Sequence, residues 1–244
     1  MKRSHITSAT SKDVLVRFRK CDLLSGVSDQ QFDDVLSRVR ILSLAEGEVL
    51  FLRHQVADEV FWIESGQMKL SVSSQSGSEK VIEIESSGAT FAEAVLFDGR
   101  PRFPVQATAV KSSQIWCIDA KHYESLLRNC PDVCFSVMGK LSRRLHGLIS
   151  EIDRLALHNA TYRVVAYLLD HIPCEDQDGA SQVQLDVPKH VIASRLSITP
   201  ETLSRTFSKL CRSGVINLTD SKIIIDDIDS LRQFVHWDQA AEEG

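Results

Sequence analysis

Thr199-Pro200-Glu201-Thr202-Leu203-Ser204-Arg205-Thr206-Phe207-Ser208-Lys209-Leu210 is the stretch on which the reading of this chain turns. Thr199 is a good N-cap and Pro200 a good first helical residue, because that position needs no N–H. Leu203, Phe207 and Leu210 follow at spacings of 4 and 3 and form one apolar stripe. Glu201, Ser204, Arg205 and Ser208 share the opposite face. A guanidinium can bond a guanine edge through two N–H groups, and a carboxylate can accept from a cytosine amine, so this front suits the major groove. Just upstream, Lys189-His190-Val191-Ile192-Ala193-Ser194-Arg195-Leu196 reads as a partner helix. It buries Val191, Ile192 and Leu196, and small Ala193 permits a close crossing. The pair makes a helix-turn-helix. Its expected DNA contacts are Glu201, Ser204 and Arg205, with Lys189, Thr199, Thr202, Ser208 and Lys209 around them. An ordinary surface helix is the competing reading; agreement among cap, stripe and polar front weighs against it.

Charge points the same way. The chain has 244 residues and a net charge of −5. Residues 189–214 nevertheless carry Lys189, Arg195, Arg205, Lys209 and Arg212 against Glu201 alone, a local net of +4. An acidic chain with one basic segment implies that nucleic acid touches that segment. Downstream, Val215-Ile216-Asn217-Leu218 and Lys222-Ile223-Ile224-Ile225, joined by Thr219-Asp220-Ser221, read as the strands of a wing. Upstream, Tyr162-Arg163-Val164-Val165-Ala166-Tyr167-Leu168-Leu169 reads as a core helix, followed by a polar loop over 174–181.

Pro131 opens a longer helix. Met138, Leu141, Leu145, Leu148, Ile152 and Leu155 repeat at spacings of 3, 4, 3, 4 and 3. This is an a/d stripe, with Lys140, Arg143, Arg144, Glu151, Asp153 and Arg154 on expected solvated flanks. The stripe fits either a seam between two copies or packing on its own domain. Gly147 costs such a helix roughly 1 kcal/mol relative to alanine.

The N-terminal half has a different period. Residues 1 to 13 are polar and expected to fray. Ser28-Asp29-Gln30-Gln31 fits a capping box before Phe32, Val35, Leu36 and Val39. From Ile41 to Ile118 short apolar runs take over: Val49-Leu50-Phe51, Val60-Phe61-Trp62-Ile63, alternating Met68, Leu70 and Val72, then Val81-Ile82-Glu83-Ile84 and Gln114-Ile115-Trp116-Cys117-Ile118. Such a series implies a sandwich or jelly roll. The fold class is therefore α+β, with a β-roll/jelly-roll domain at 14–128, a long helix at 131–157 and a winged helix-turn-helix at 158–235.

Composition bounds the remaining classes. With 43% hydrophobic and 25% charged residues the chain can build a sizeable core. No apolar run approaches the roughly 18 residues of a membrane span, and Met1-Lys2-Arg3-Ser4-His5 lacks a secretory signal, so the expectation is a soluble, cytoplasmic protein without a membrane partner. Cys21, Cys117, Cys130, Cys134, Cys174 and Cys211 form no CxxC pair, which leaves a zinc ribbon or thioredoxin-like site unsupported. No GxSxG, HExxH or P-loop is present. A cupin-like metalloenzyme would need converging histidines and a carboxylate, and the β-rich region offers only distant His54 and His122. Neither an enzyme nor a metal site is expected.

Several of these segments resemble the CRP/FNR superfamily of transcription regulators. Leu44-Ala45-Glu46-Gly47-Glu48-Val49-Leu50-Phe51 and Phe61-Trp62-Ile63-Glu64-Ser65-Gly66-Gln67-Met68-Lys69-Leu70 look like the opening β-roll motifs of its cyclic-nucleotide-binding-like sensor domain. Phe91-Ala92-Glu93-Ala94-Val95-Leu96-Phe97 falls where the family's ligand-facing segment lies. The likeness covers most of residues 44–232. It implies a homodimer joined through Met138, Leu141, Leu145, Leu148, Ile152 and Leu155, with two reading heads set about 34 Å apart on double-stranded DNA, and RNA polymerase as a partner. Glu201-Thr202-Leu203-Ser204-Arg205 matches the E-x-x-S-R pattern of FNR-like readers, which implies TTGAT half-sites in an inverted repeat. Readers of the cyclic-AMP type usually carry arginine and glycine where this chain has Pro200 and Ser204.

The resemblance also bears on the signal. Arg102-Phe103-Pro104-Val105-Gln106 lacks the Arg-Ser pair that holds a cyclic phosphate, so cyclic AMP is not expected, although Arg100 or Arg102 could reach an anion. Only Cys21 stands near the N-terminus, where cluster-bearing members group several cysteines, so no iron-sulphur cluster is expected. Thr90-Phe91-Ala92-Glu93-Ala94, Leu141-Ser142-Arg143-Arg144-Leu145-His146, Asn159-Ala160-Thr161-Tyr162-Arg163-Val164-Val165 and Leu196-Ser197-Ile198-Thr199-Pro200-Glu201-Thr202 resemble the nitric-oxide-responsive dissimilatory nitrate respiration regulators. That branch implies control of anaerobic and denitrification genes and a haem. His54, His122, His146, His158, His171 and His190 are ligand candidates on chemistry, with His54, His146, His171 and His190 put forward. A regulator of the same fold with another effector, or none, is the alternative.

Overall fold

The computed structural model describes residues 2–5, 11–74, 77–97, 99, 101–173, 181–219 and 222–234. Arg100, residues 174–180 of the expected polar loop, and Asp220 and Ser221 of the wing turn lie outside the described residues. The chain divides into two compact units, Met1–His146 and Gly147–Gly244.

The first unit holds two antiparallel sheets with helices alongside. Its elements are β1 (Lys2–His5), α1 (Lys12–Arg19), α2 (Asp29–Arg38), β2 (Arg40–Leu44), β3 (Val49–Phe51), β4 (Glu59–Ser65), β5 (Gln67–Ser73), β6 (Glu79–Ser86), β7 (Thr90–Phe91), a 3-10 turn at Glu93–Leu96, β8 (Gln106–Ala109), β9 (Ser113–Asp119), α3 (Ala120–Asn129) and the start of α4 (Pro131–Leu157). One sheet has the order β1-β2-β9-β4-β7 and the other β3-β8-β5-β6, as a β-roll requires. The apolar runs in β4 and β9 are continuous because the strands are covered on both faces. Trp62, Trp116 and Ile118 point to a core shared with α1, α2, α3 and α4. Phe61, Ile63, Ile115 and Cys117 point to the interior of the roll. Gly66 turns β4 into β5 at φ 93°, and a Cβ there would lie 2.5 Å from the Ser112 carbonyl, so no other residue fits.

The capping box at Ser28 forms as expected: the Ser28 hydroxyl accepts from the Gln31 N–H and the Gln31 side chain accepts from the Ser28 N–H. The frayed N-terminus does not. Residues 2–5 pair antiparallel with β2, Lys2 opposite Ser43 and His5 opposite Arg40. Backbone pairing along a sheet edge needs no apolar side chains, so polarity misled the reading. Nearby, α1 starts at Lys12 under a Ser11 cap and buries Val14 and Phe18.

The second unit holds the rest of α4, then α5 (Ala160–Asp170), β10 (Ser181–Gln184), α6 (Lys189–Arg195), α7 (Pro200–Arg212), β11 (Asn217–Thr219) and β12 (Lys222–Ile225). Its sheet has the order β10-β12-β11, so the wing gains a third strand that begins at Ser181, a residue assigned above to a loop. The signal was present: Val183, Leu185 and Val187 are buried and alternate with exposed Gln182, Gln184 and Asp186. α5 and α6 both pack against α7.

Candidate nucleic-acid interface

Helix α7 is built as its sequence dictates. The Thr199 hydroxyl caps it, accepting from the Thr202 N–H at 3.2 Å, with Pro200 in the first turn. Leu203, Thr206, Phe207 and Leu210 are buried and fix its back. Glu201, Ser204, Arg205 and Ser208 are exposed on its front, and Thr199 at its cap and Lys189 at the start of α6 are exposed as well. Thr202 and Lys209 are half-buried, and Lys209 Nζ lies 6.0 Å from the Phe234 ring centroid.

A small hydroxyl network orders the front. Arg205 Nη2 donates to Thr202 Oγ1 at 3.3 Å, and Thr202 Oγ1 lies 3.2 Å from Thr199 Oγ1. The Thr199 hydroxyl, the backbone amide of Glu201 itself and the Arg205 charge hold the Glu201 carboxyl below the usual carboxylate range. The acceptor at the helix start is therefore ionised at neutral pH, with the guanidinium one turn away. Ser208 donates to the Ser204 carbonyl at 3.0 Å, which leaves its oxygen lone pairs for a donor outside the helix. A shallow groove of about 460 Å³ runs beside Arg205 and Lys209 and reaches Arg212 and the start of α5 at Ala160 and Thr161. Neither Arg212 nor the α5 start was picked out from sequence as a contact. Asn159, which caps α5 through a 2.9 Å bond from the Tyr162 N–H, was the available sign.

On α4 the apolar stripe is largely uncovered. Met138, Leu145, Leu148, Ile152 and Leu155 are exposed, Ile152 by 66%, in a single chain. Leu141 instead packs against the helical core of its own unit. Phe135 and Ile149, outside the expected set, are also exposed. They add a second column beside Met138, Leu145 and Ile152, so the open face is centred on those three. The flanks are less solvated than expected. The mostly buried Lys140 meets Glu93, Arg144 pairs with Glu83, and Arg195 reaches Glu151 at 2.5 Å.

The interior of the roll is filled with rings. Phe51 stacks on Phe103 at 3.7 Å and on Phe61 at 5.5 Å, and Phe61 stacks on Phe91 at 5.1 Å. Arg102 donates to the His54 carbonyl at 2.8 Å. A haem needs an apolar pocket and an axial ligand. His54, His146, His171 and His190 are all exposed. His122 meets Asp34 at 3.2 Å, and His158 stacks on Tyr162. A cavity of about 540 Å³ in the first unit is lined by Val56, Val95 and Leu96 with Asp58, Lys121 and Glu124 on its polar side, and has no imidazole, thiol or thioether. These positions do not fit a haem site. The cupin-like arrangement also finds no ligand set: no three His, Cys, Asp or Glu side chains converge as a metal site among the described residues. None of the described helices is long and apolar enough to cross a membrane.

Comparison with known proteins agrees with this geometry. Residues 41–130 match the cyclic nucleotide-binding domain and residues 162–234 the Crp-like helix-turn-helix domain. The chain is 25% identical to the cyclic AMP receptor protein of Thermus thermophilus over 196 residues, 80% of this chain and 88% of that protein. It is 25% identical to the fumarate and nitrate reduction regulatory protein of Escherichia coli (strain K12) over 207 residues, 83% of this chain and 80% of that one. Among solved structures, a candidate cyclic nucleotide binding protein from Ruegeria pomeroyi is 31% identical, with a TM-score of 0.59 over 91% of this chain and 96% of that chain.

Proposed function

The chain belongs to the CRP/FNR family of DNA-binding transcription regulators, and from that premise we propose that it acts in the cytoplasm as a homodimer reading an FNR-type inverted repeat of TTGAT half-sites. The observation that carries this reading is the exposed Glu201, Ser204 and Arg205 triplet on α7, with Glu201 bonded to the Thr199 hydroxyl and Arg205 to the Thr202 hydroxyl. Arg205 would read a guanine edge and Glu201 a cytosine amine on the facing strand. The uncovered α4 face supports the homodimer, since a column of exposed leucine, isoleucine and methionine side chains is stabilised by a second copy. Two-fold symmetry then calls for an inverted repeat. Selection of bound sequences from random duplexes tests the reading. TTGAT half-sites in inverted orientation are expected; a direct repeat or no enrichment overturns it.

We propose nitric oxide as the signal and anaerobic or denitrification genes as targets, with RNA polymerase as the partner on the promoter. Support comes from the resemblance around Thr90-Phe91-Ala92-Glu93-Ala94 and Ser197-Ile198-Thr199-Pro200-Glu201-Thr202. Repeat binding measured with and without a nitric oxide donor, on protein with and without added haem, checks this. Nitric oxide is expected to raise affinity; unchanged binding in every arm contradicts it. A second reading has its own observation. The stacked Phe51, Phe61, Phe91 and Phe103 fill the roll and Lys140 neutralises Glu93, which favours a regulator that answers to another small effector or to none.

A further inference from the structure

We propose that Arg163, on α5 and outside the reading helix, is a positioning residue for DNA recognition: its guanidinium braces the left-handed turn that aims α7. The inference rests on the DNA-reading role given to α7. α6 ends in a Schellman turn, with the Ile198 N–H donating to the Ala193 carbonyl at 3.0 Å and the Ser197 N–H to the Ser194 carbonyl at 3.2 Å. Ser197 occupies the left-handed position at φ 54°. Glycine is the usual residue there, because a Cβ is crowded in that conformation. This turn keeps a side chain in the disfavoured region, so something outside the turn has to hold it.

Arg163 is placed to do so. Its Nη1 donates to the Leu196 carbonyl at 3.0 Å and to the Ser197 carbonyl at 3.4 Å, and its Nε to the Asn159 carbonyl at 3.4 Å. The Leu196 and Ser197 carbonyls lie at the C-terminal end of α6, where acceptors lack intrahelical donors and the helix dipole is negative. A rigid, planar cation with several N–H groups can satisfy both at once and bridge them to a second helix. Thr199, the cap of α7, lies two residues beyond Ser197, and α5 itself packs on α7. A shift of the turn therefore carries Glu201 with it, and base readout tolerates only about 0.5 Å of misplacement.

Arg163→Met, Ser197→Gly and the double variant of the full chain test the brace. One readout is the ratio of affinities for an operator selected by the parent protein from random duplexes and for a scrambled duplex. Arg163→Met is expected to lower this ratio about tenfold while scrambled binding and its salt dependence stay as in the parent. Glycine at 197 relaxes the turn without a brace, so Ser197→Gly in the Arg163→Met background is expected to return the ratio to within about threefold of the parent. Failure of that rescue overturns the proposal. So does a parallel loss of selected and scrambled binding with a shallower salt slope, which would place Arg163 on a phosphate instead. The second readout is melting temperature across the four proteins. A non-additive cycle between 163 and 197 is expected, and additive losses contradict the brace. Non-additive melting with an unchanged ratio would make Arg163 a fold stabiliser only. If the parent selects no sequence, the DNA-reading premise fails, and the melting cycle still rules on the brace by itself.

Discussion

The ammonium of Lys140 on α4 lies 2.8 Å from Oε1 of Glu93, a carboxylate with no solvent exposure. Two of the three Lys140 ammonium N–H groups go to the carbonyl and the hydroxyl of Thr90, and the contact with Glu93 is an ion pair in which neither carboxylate oxygen has a hydrogen-bond partner among the described residues. Removing one member of such a pair strands a charge in the interior, whereas replacing both by apolar groups does not. Lys140→Met is expected to lower unfolding free energy by about 3–5 kcal/mol. The Lys140→Met, Glu93→Leu double variant should recover most of that loss. Urea denaturation of the three proteins measures both effects; equal losses in the single and double variants would show that the pair is not coupled.

Glu85 gives this neighbourhood a pH dependence. Burial first, and the like charges of Glu83 and Glu93, push its carboxyl up to about 7, while Lys140 and Arg144 pull it down. The folded state therefore holds a proton that the unfolded chain releases near the ordinary carboxylate value. Stability is highest below that value and falls as pH rises towards 7, where Glu85 ionises in the fold. Glu85→Gln is expected to flatten this decline and to be more stable than the parent at pH above 7, by on the order of 1–3 kcal/mol after solvent screening is discounted. Thermal melts from pH 5 to pH 8, roughly the window of the carboxylate linkage, check it. Parallel curves for parent and variant would contradict the assignment.

The exposed α4 column separates folding from assembly. Leu145 is 58% exposed in the single chain, so an aspartate there leaves the fold intact. Across a symmetric seam two such aspartates face each other, and association is lost. Leu145→Asp is expected to sediment as a monomer while keeping the far-UV circular dichroism of the parent, since a surface change shifts the stability of the single chain by only about 0.5 kcal/mol. A persistent dimer would place the contact between copies elsewhere.

Much of this was legible before any coordinates. The Thr199 cap, the Leu203, Phe207 and Leu210 stripe, the Ser28 capping box and the extent of α4 all follow from local periodicity and capping chemistry, and local chemistry decided them. What stayed hidden depends on partners distant in sequence. The pairing of residues 2–5 with β2 is a backbone event without a side-chain pattern. The turn at Ser197 carried no glycine to announce its left-handed residue, because Arg163, 34 residues earlier, supplies the bonds that hold it. Lys140 and Arg144 looked like solvated flanks, since a lone helix pattern cannot show that Glu93 and Glu83 wait opposite. The α4 stripe was found in one register, whereas Phe135 and Ile149 extend it into a second column that only exposure reveals.

Base readout by Arg205 is the most direct test of the account. Fluorescence anisotropy compares the parent and Arg205→Ala on a duplex carrying the TTGAT inverted repeat, and on duplexes with each half-site base pair changed in turn. The expected result is a loss of about 1–3 kcal/mol on the intact repeat, with discrimination relaxed at one base pair of each half-site and preserved at the others. Binding of Arg205→Ala as tight and as selective as that of the parent would contradict it.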